Sequence, residues 1–283
     1  YEISLGLVGS EMCIRDRNER EDNRMSYDYS ENILVQESAG HLLVDELGWQ
    51  VELAYNQEVL GENGTFGRSS YKDILLVRYF QKALRTLNPW ITDAQVTEAQ
   101  NTFEKHLSSA SLMQINEEKY AYIRDGIPVT EKKPNGQTEE KRAIIIDFQH
   151  PNDMERNHFL AVKEMKIHGD LYRRRTDIVG FVNGIPLLFI ELKKNSVDVQ
   201  NAYTDNYTDY LDTIPQLFYY NAFLMLSNGV EAKVATLGSK YEFFHEWKRL
   251  SEQEQGSVAL ETMLRGICKN CLLYTSPSPR DRG

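Results

Sequence analysis

The sequence is poor in cysteine and has no apolar run of the roughly 20 residues that a membrane-spanning helix requires. Of its three cysteines, Cys13 and Cys271 lie in terminal stretches unlike the rest of the chain, which leaves only Cys268. A single cysteine excludes a disulfide framework, and one Cys-x-x-Cys pair is weak support for zinc. These absences predict a cytoplasmic protein that is not stabilised by disulfides.

Signatures of nucleotide binding and of general nucleic-acid coating are also missing. The sequence contains no Walker-type phosphate loop, so no nucleotide site is predicted within this chain. The net charge is −10, and an overall negative field disfavours general attraction to a phosphate backbone. Any contact with nucleic acid must therefore depend on a local group of cations.

The two ends of the chain differ from its middle. Residues 4–17 and 271–282 resemble translated sequencing-adapter read-through, so we expect artefactual tails over 1–24 and 271–283. Met25 is then the expected natural start, and 25–270 is the expected domain, with a net charge of −9. We expect the natural protein to continue beyond Asn270.

Hydrophobic periodicity predicts an α/β (or α+β) fold in which helices flank a mixed central sheet. Helices are predicted over 31–46, 74–87, 93–110, 199–211 and 242–265. Strands are predicted over 49–53, 158–167, 178–182, 185–190, 222–226 and 232–237, with β-hairpin structure over 114–148 and its clearest strand at 143–148.

Two acidic residues and a lysine flank one predicted hairpin. Asp177 precedes the strand 178–182, Glu191 follows the strand 185–190, and Lys193 comes two residues later. Carboxylates can hold a hard divalent cation, and a lysine can orient the attacking water or neutralise developing charge. This combination is what metal-dependent phosphodiester cleavage requires.

The connection between the two strands decides whether the acids meet. A two-residue turn at 183–184 would put the acids on opposite faces, since side chains alternate along a strand. A three-residue connection with Gly184 in the left-handed conformation would restore the parity. Asp177 would then be diagonal to Glu191, within roughly 7–8 Å, and Lys193 would share their face. We therefore predict an odd-length loop or a bulge.

An acid-x-Lys sequence at the end of a strand is common in proteins without catalytic function. Two features favour a site here. Residues 187–190 form a continuous apolar run, which is typical of a strand buried on both faces, and Glu191 directly follows it. A carboxylate in that position should be partly desolvated, which is costly unless something such as a metal ion compensates.

Cations are concentrated around the acidic pair. Within residues 163–194 they are Lys163, Lys166, His168, Arg173, Arg174, Arg175, Lys193 and Lys194. A phosphate backbone is expected to lie along this patch. The alternative is an ordinary solvated charged face.

The run from His168 to Lys194 resembles the N-terminal nuclease domain of type I restriction endonuclease motor (R) subunits. Further segments resemble the same family in consistent order: 124–129 (RDGIPV), 145–148 (IIDF), 157–159 (NHF) and 214–221 (IPQLFYYN) followed by 226–229 (LSNG). The resemblance covers essentially all of 25–270.

In that family a PD-(D/E)xK core cuts double-stranded DNA with Mg²⁺. The resemblance implies that Asp177, Glu191 and the backbone carbonyl of Leu192 are metal ligands and that Lys193 is the catalytic lysine. The proline that usually precedes the first acid is Thr176 here. That proline shapes the backbone and does no chemistry.

The resemblance also implies supporting residues. Many family members carry Gln-x-x-x-Tyr on the following helix, and the matching positions are Asn206 and Tyr210, four apart and so on one helix face. The asparagine is one methylene shorter, and Tyr210 could equally pack against the sheet. Glu37 on the first helix is a candidate for approaching the metal, and otherwise a solvated acid. DNA contacts are predicted at Arg173, Arg174, Arg175 and Lys194.

In the complete family subunit a superfamily 2 helicase motor follows the nuclease domain, and methyltransferase (M) and specificity (S) subunits are its partners. The resemblance thus implies a type I site-specific deoxyribonuclease, with ATP needed only by the full-length subunit for translocation. Two alternatives stay open: a non-catalytic domain that docks DNA or a partner, and a stand-alone nuclease of the same core fold.

Overall fold

The computed structural model describes residues 35–133, 135–151, 153–246 and 259–269. The predicted tails over 1–24 and 271–283 lie outside the described residues. So do the predicted start of the first helix and residues 247–258 of the last one. These predictions therefore stay as they are.

The described residues alternate between helices and short strands. In chain order they form α1 (over 35–45), β1 (Gln50–Leu53), α2 (Val77–Leu87), α3 (Asp93–Glu104), α4 (Leu112–Asp125), β2 (Ile127–Lys132), β3 (Thr138–Ala143), β4 (Phe159–Lys163), β5 (Lys166–His168), β6 (Arg173–Arg175), β7 (Ile178–Val182), β8 (Ile185–Leu192), a π-helix (Ala202–Tyr207) that continues into α5 (Thr208–Thr213), β9 (Phe223–Ser227), β10 (Ala232–Ala235), β11 (His245–Glu246) and α6 (Ala259–Ile267). None of the described helices is long and apolar enough to cross a membrane.

Seven strands form one mixed sheet in the order β1-β4-β7-β8-β9-β10-β11. The β1–β4 and β8–β9 pairs are parallel, and the other neighbours are antiparallel. The hairpin that carries the two acids, β7–β8, therefore lies in the middle of the sheet. The predicted α/β fold, with helices flanking a mixed central sheet, is confirmed.

Apolar side chains cover both faces of the sheet. On one face Leu188 and Ile190 of β8 belong to a core that includes residues of α1, α2, α3 and α6. On the other face Phe189 packs against Phe218 and Tyr210, with ring centroids 5.4 and 5.9 Å away. Because successive side chains of a strand point to opposite faces, a strand between two cores must be apolar throughout.

Part of the region predicted as β structure is helical. Residues 114–148 were expected to form a β-hairpin, but α4 occupies Leu112–Asp125. A capping box between Ser111 and Gln114 starts this helix, and Gly126 ends it with a φ of +83°. The hairpin that follows, β2–β3, is therefore shorter, and residues 144–148 of the predicted strand lie beyond it.

The strand predicted over 158–167 is interrupted after Lys163. Glu164 has a φ of +52°, so β4 ends before it, and β5 begins at Lys166 in a separate two-stranded sheet. There β5 pairs antiparallel with β6 through a turn at 169–172. We name residues 166–175 the basic ribbon, because four of the ten are lysine or arginine.

Candidate active site

Asp177 and Glu191 lie directly across from each other at the open end of the β7–β8 hairpin. Ile178 is paired with Ile190, so the next residues outward are the two acids. The Leu192 N–H donates a hydrogen bond of 2.7 Å to Asp177 Oδ2, which holds the two chain segments together at this end.

The acids meet because the hairpin contains a bulge. The turn itself has only two residues, Asn183 and Gly184, with φ values of +52° and +80°, as a type I′ turn requires. The register shifts after Gly180: Val182 pairs with Ile185 and Phe181 with Pro186, but Gly180 pairs with Leu188. Leu187 is thus an extra residue, which changes the parity of β8.

The prediction of an odd-length loop or a bulge is thus met by a bulge. The three-residue loop is wrong, since Val182 pairs with Ile185, and so is the diagonal placement, since the Ile178–Ile190 pair puts Asp177 in register with Glu191. Close packing accompanies the shift. A Cβ on Gly180 would lie 3.0 Å from the Leu188 Cβ and 3.1 Å from the Trp49 ring, so glycine lets the strands approach there.

Burial dominates the electrostatics of Asp177. Loss of hydration raises the pKa of its carboxyl to about 6, although the Leu192 N–H and the charge of Lys193 act in the lowering direction. The Gln36 side chain of α1 donates to the Asp177 main-chain oxygen at 3.0 Å. The backbone at this acid is therefore fixed from a neighbouring helix.

Glu191 is the more deeply buried of the two acids, with 2% of its surface exposed. Burial raises the pKa of its carboxyl well above the usual value, and the Asp177 carboxyl raises it further. Its Oε2 is buried and has no hydrogen-bond partner among the described residues. Leaving such an oxygen unpaired costs free energy, so a bound cation would compensate it.

Both the main chain and the side chain of Lys193 form hydrogen bonds. Its N–H donates to the Ser227 carbonyl at 2.7 Å, which ties the end of β8 to β9. Its Nζ donates to Asn206 Oδ1 in the π-helix. The structure therefore brings Asn206 to the lysine and the acids, and Lys194 follows at a half-buried position.

Tyr210 reaches the same region from α5. Its hydroxyl donates to the Arg175 carbonyl at 3.0 Å, and its ring meets the Phe189 ring edge-on, at 82°. Tyr210 thus packs against the sheet and also fixes the chain two residues before Asp177. Its part in cleavage stays a prediction.

Glu37 is not brought to the acidic pair. Its carboxylate forms an ion pair of 2.5 Å with Lys163 Nζ. Lys163 shares a strand face with Ala161, which packs in the core beneath α1, whereas Asp177 and Glu191 alternate onto the face of Phe189. That Glu37 approaches a metal stays a prediction, and its ion pair with Lys163 gives that prediction no support.

Glu164 is a site residue that the sequence did not single out. Its N–H donates to the Asp177 carbonyl at 2.9 Å, and its charge raises the pKa of Asp177. The carboxylate is buried, lies 3.4 Å from Arg175 Nη1 and accepts no hydrogen bond at Oε2 from the described residues. A left-handed, buried glutamate is unusual, but in a run of charged residues nothing in the sequence distinguishes it.

The three predicted DNA-contacting arginines have different surroundings. Arg174 forms a two-pronged contact with Asp209, at 2.5 and 2.8 Å. The Arg175 guanidinium lies over the Tyr55 ring, 4.6 Å from its centroid. Arg173 is exposed, and no ion-pair partner for it is found in the described ranges. Arg173 is therefore the most available of the three.

The carboxylates of the site fit a cation that requires few ligands from the protein. Within the described ranges, no three His, Cys, Asp or Glu side chains are placed to hold a metal ion together. Two carboxylates suit Mg²⁺, which usually takes one or two from the protein and keeps several waters. The unpartnered Oε2 of Glu191 fits such an ion. The Leu192 carbonyl stays a predicted third ligand.

A family model described as the N terminus of type I restriction enzyme R proteins (HSDR_N) matches residues 28–243. Every residue of the candidate site falls in that range, as do the basic ribbon and the central hairpin.

Curated relatives agree with the family match. The type I restriction enzyme HindI endonuclease subunit of Haemophilus influenzae is 30% identical over 233 residues, which cover 79% of this chain and 21% of the relative. A Methanocaldococcus jannaschii protein, provisionally assigned as the type I restriction enzyme MjaIXP endonuclease subunit, is 28% identical over 89% of this chain and 23% of its own length. The chain thus spans less than a quarter of either relative.

Proposed function

Because the chain belongs to the family of type I restriction enzyme R protein N termini, we propose that it is a Mg²⁺-dependent endonuclease domain that hydrolyses phosphodiester bonds of double-stranded DNA. The opposed carboxylates of Asp177 and Glu191 carry this proposal, because a buried oxygen of Glu191 has no partner among the described residues. Relatives named as endonuclease subunits support the same class of reaction.

The two acids would hold the cation. When bound, Mg²⁺ lowers the pKa of water and offsets the charge of the phosphate. The Leu192 N–H holds Asp177 in place, and only 2% of the Glu191 surface is exposed. Carboxylates fixed in this way need little rearrangement when substrate arrives, which favours the transition state.

Lys193 would supply positive charge beside the scissile phosphate. Its Nζ is held by Asn206, and its main chain is held by Ser227. A lysine on the face of Glu191 can orient the attacking water or stabilise the charge that develops on the phosphate. Its loss should slow the chemical step far more than it weakens DNA binding.

The two alternatives from the sequence are weaker. A domain that only docked DNA or a partner protein would gain nothing from burying two opposed carboxylates, since unpaired buried charge is destabilising. A stand-alone nuclease fits the site equally well, but the relatives are more than four times as long as the stretch they share with this chain.

The larger assembly belongs to the same proposal. In a full-length R subunit, cutting would be coupled to ATP-driven translocation, and M and S subunits would be the partners.

Plasmid cleavage by the assembled restriction complex tests the proposal. Lys193→Ala should reduce cutting on the order of a hundredfold or more and leave DNA binding near the wild-type level. Lys132→Ala, an exposed lysine on the separate β2–β3 hairpin, is the matched control and should cut normally. Undiminished cleavage by Lys193→Ala would overturn the proposal.

A further inference from the structure

The tip of the basic ribbon exposes two large apolar side chains. Leu171 is 87% exposed, the highest value among the large hydrophobic residues that the structure describes, and Tyr172 beside it is 50% exposed. A single exposed leucine is ordinary. This pair is different because it stands at the end of a strongly cationic hairpin.

Cations face each other across the ribbon. Lys166 is paired with Arg175, and His168 with Arg173. Burial and the neighbouring cations lower the pKa of His168, so of these two pairs Lys166–Arg175 is the one that joins two charged side chains. Directly opposed like charges destabilise a two-stranded sheet. The Tyr55 ring lies 5.2 Å from Lys166 Nζ and 4.6 Å from the Arg175 guanidinium, which offsets part of the repulsion. The Glu164 carboxylate, 3.4 Å from Arg175 Nη1, offsets more of it, and a polyanion on this face would add to both.

The ribbon is fastened along its length. The His168 N–H donates to the Tyr71 carbonyl at 3.0 Å, and the Gln216 amide donates to the His168 carbonyl at 2.9 Å. Gly169 lies so close to α5 that a Cβ there would be 2.0 Å from the Thr213 oxygen. The tip is therefore presented by a supported hairpin, so little order has to be gained on binding.

The acid of the ribbon has a cationic partner outside the ribbon. Asp170 forms an ion pair of 2.9 Å with Lys72. At the tip, the Arg174 guanidinium lies 5.0 Å from the Tyr172 ring centroid and supports the ring from one side. Leu171 and the Tyr172 ring are left as an apolar end beside the exposed Arg173, for which no ion-pair partner is found among the described residues.

The ribbon runs directly into the candidate site. Arg175 stands two residues before Asp177, and Leu171 stands four residues before Arg175. β6 begins at Arg173, and at about 3.3 Å per strand residue this arginine lies roughly 7 Å along the ribbon from Arg175. That length corresponds to about two base-pair steps of 3.4 Å each.

We propose that the tip of the basic ribbon enters the minor groove of duplex DNA, where Leu171 and Tyr172 wedge against a base step while Arg173 and Arg175 contact the backbone. This proposal rests on the proposed function, since it places the duplex that is cut along the ribbon and next to Asp177 and Glu191. Apolar wedges flanked by arginine partially unstack a base step and bend the duplex. The narrow groove also attracts arginine through its negative potential.

Base unstacking by this chain, without cleavage, tests the wedge. The probe is a 16-base-pair duplex with 2-aminopurine beside a central TA step, which is easily unstacked, in EDTA and low salt. Wild type should raise the 2-aminopurine fluorescence. Leu171→Ser should abolish that rise and weaken binding roughly tenfold. Leu107→Ser, at another exposed leucine (69%), is the control and should behave as wild type.

Further variants separate the wedge from simple charge attraction. Arg173→Gln should weaken binding to all sequences and reduce the slope of log affinity against log salt by about 1. Three results would each overturn the wedge. They are an equal fluorescence rise with Leu171→Ser and wild type, no rise with wild type, and no binding of the duplex at all.

The cleavage assay distinguishes the two proposals. If Leu171→Ser behaves as wild type while Lys193→Ala still abolishes cutting, the wedge is wrong and the nuclease assignment stands. If the wedge signal is lost in Leu171→Ser but Lys193→Ala cuts normally, the DNA contact stands and the nuclease assignment fails.

Discussion

The Asp177 carboxylate accepts a 2.7 Å hydrogen bond from the main-chain N–H of Leu192. This contact joins the residue before β7 to the last residue of β8, beside the point where the two acids face each other. It acts to lower the pKa of Asp177, but burial outweighs it and raises that pKa to about 6. The site therefore contains carboxyl groups that are held in place, although neighbouring groups only partly offset the cost of burying their negative charge.

The first prediction concerns stability against pH in the absence of divalent cations. Between about pH 4 and 6 the folded chain keeps a proton on Asp177 that the unfolded chain has released, since the unfolded pKa is near 3.8. The free energy of unfolding should thus fall as pH rises through this window, by up to about 3 kcal/mol. The raised pKa of Glu191 acts in the same direction.

Asp177→Asn should remove much of that fall. The measurement is urea unfolding in EDTA at several pH values between 4 and 8, with the exposed Asp45→Asn as control. The same pH dependence in Asp177→Asn and wild type would contradict the assigned burial.

The second prediction concerns the hydrogen bond that Lys193 donates to Asn206. Asn206→Ala removes the oxygen that accepts from Lys193 Nζ, so the lysine should lose its fixed position. Residues that orient a catalytic group typically contribute 10–100-fold, and we expect a loss of roughly that size in the single-turnover cleavage rate, with DNA affinity unchanged. Asn201→Ala, at an exposed position just before the π-helix, should cut at the wild-type rate. Equal rates for both variants would show that Asn206 has no such role.

The third prediction concerns Glu164. Glu164→Gln keeps the shape of the side chain but removes the negative charge beside Arg175, 3.4 Å away. Arg175 should then be freer to bind phosphate, and duplex affinity at low salt should rise roughly two- to fivefold. Fluorescence anisotropy in EDTA measures this, with the exposed Glu155→Gln as control. If Glu164→Gln bound the duplex more weakly than the control, the charge of Glu164 would not be what limits phosphate binding by Arg175.

The fourth prediction concerns the β7–β8 turn. Gly184 has a φ of +80°, and a Cβ there would lie 2.5 Å from the Leu76 oxygen. Gly136 has nearly the same φ, +81°, with nothing within 4 Å of an added Cβ. Gly136→Ala therefore carries the cost of the left-handed backbone alone, of order 1 kcal/mol. Gly184→Ala should lose clearly more, on the order of 3 kcal/mol in thermal or urea unfolding. Equal losses would mean that the turn is not packed against Leu76.

Sequence reasoning located the acid pair but not its geometry. Alternation along strands showed that a plain two-residue turn could not place Asp177 and Glu191 together. It could not choose between a longer loop and a bulge, because both correct the parity. The choice depends on packing: Gly180 lets Leu188 and Trp49 approach, and that contact involves residues far apart in the chain.

Other features depended on contacts that no local pattern contains. Alternating polar and apolar segments predict β structure over 114–148, but Leu112–Asp125 form helix α4, whose Ile123 packs in the core. Glu37 and Glu164 are both acids among polar neighbours. Only the tertiary structure places the first on Lys163 and the second beside Asp177.

The central claim is that Asp177 and Glu191 form the cation site used to cut DNA. The most direct measurement is plasmid cleavage by the assembled complex carrying Glu191→Gln, over a range of Mg²⁺ concentrations, beside the exposed control Glu246→Gln. We predict that Glu191→Gln binds DNA but cuts at least about a hundredfold more slowly at every Mg²⁺ concentration, while Glu246→Gln cuts normally. Cleavage by Glu191→Gln at the wild-type rate would contradict the account.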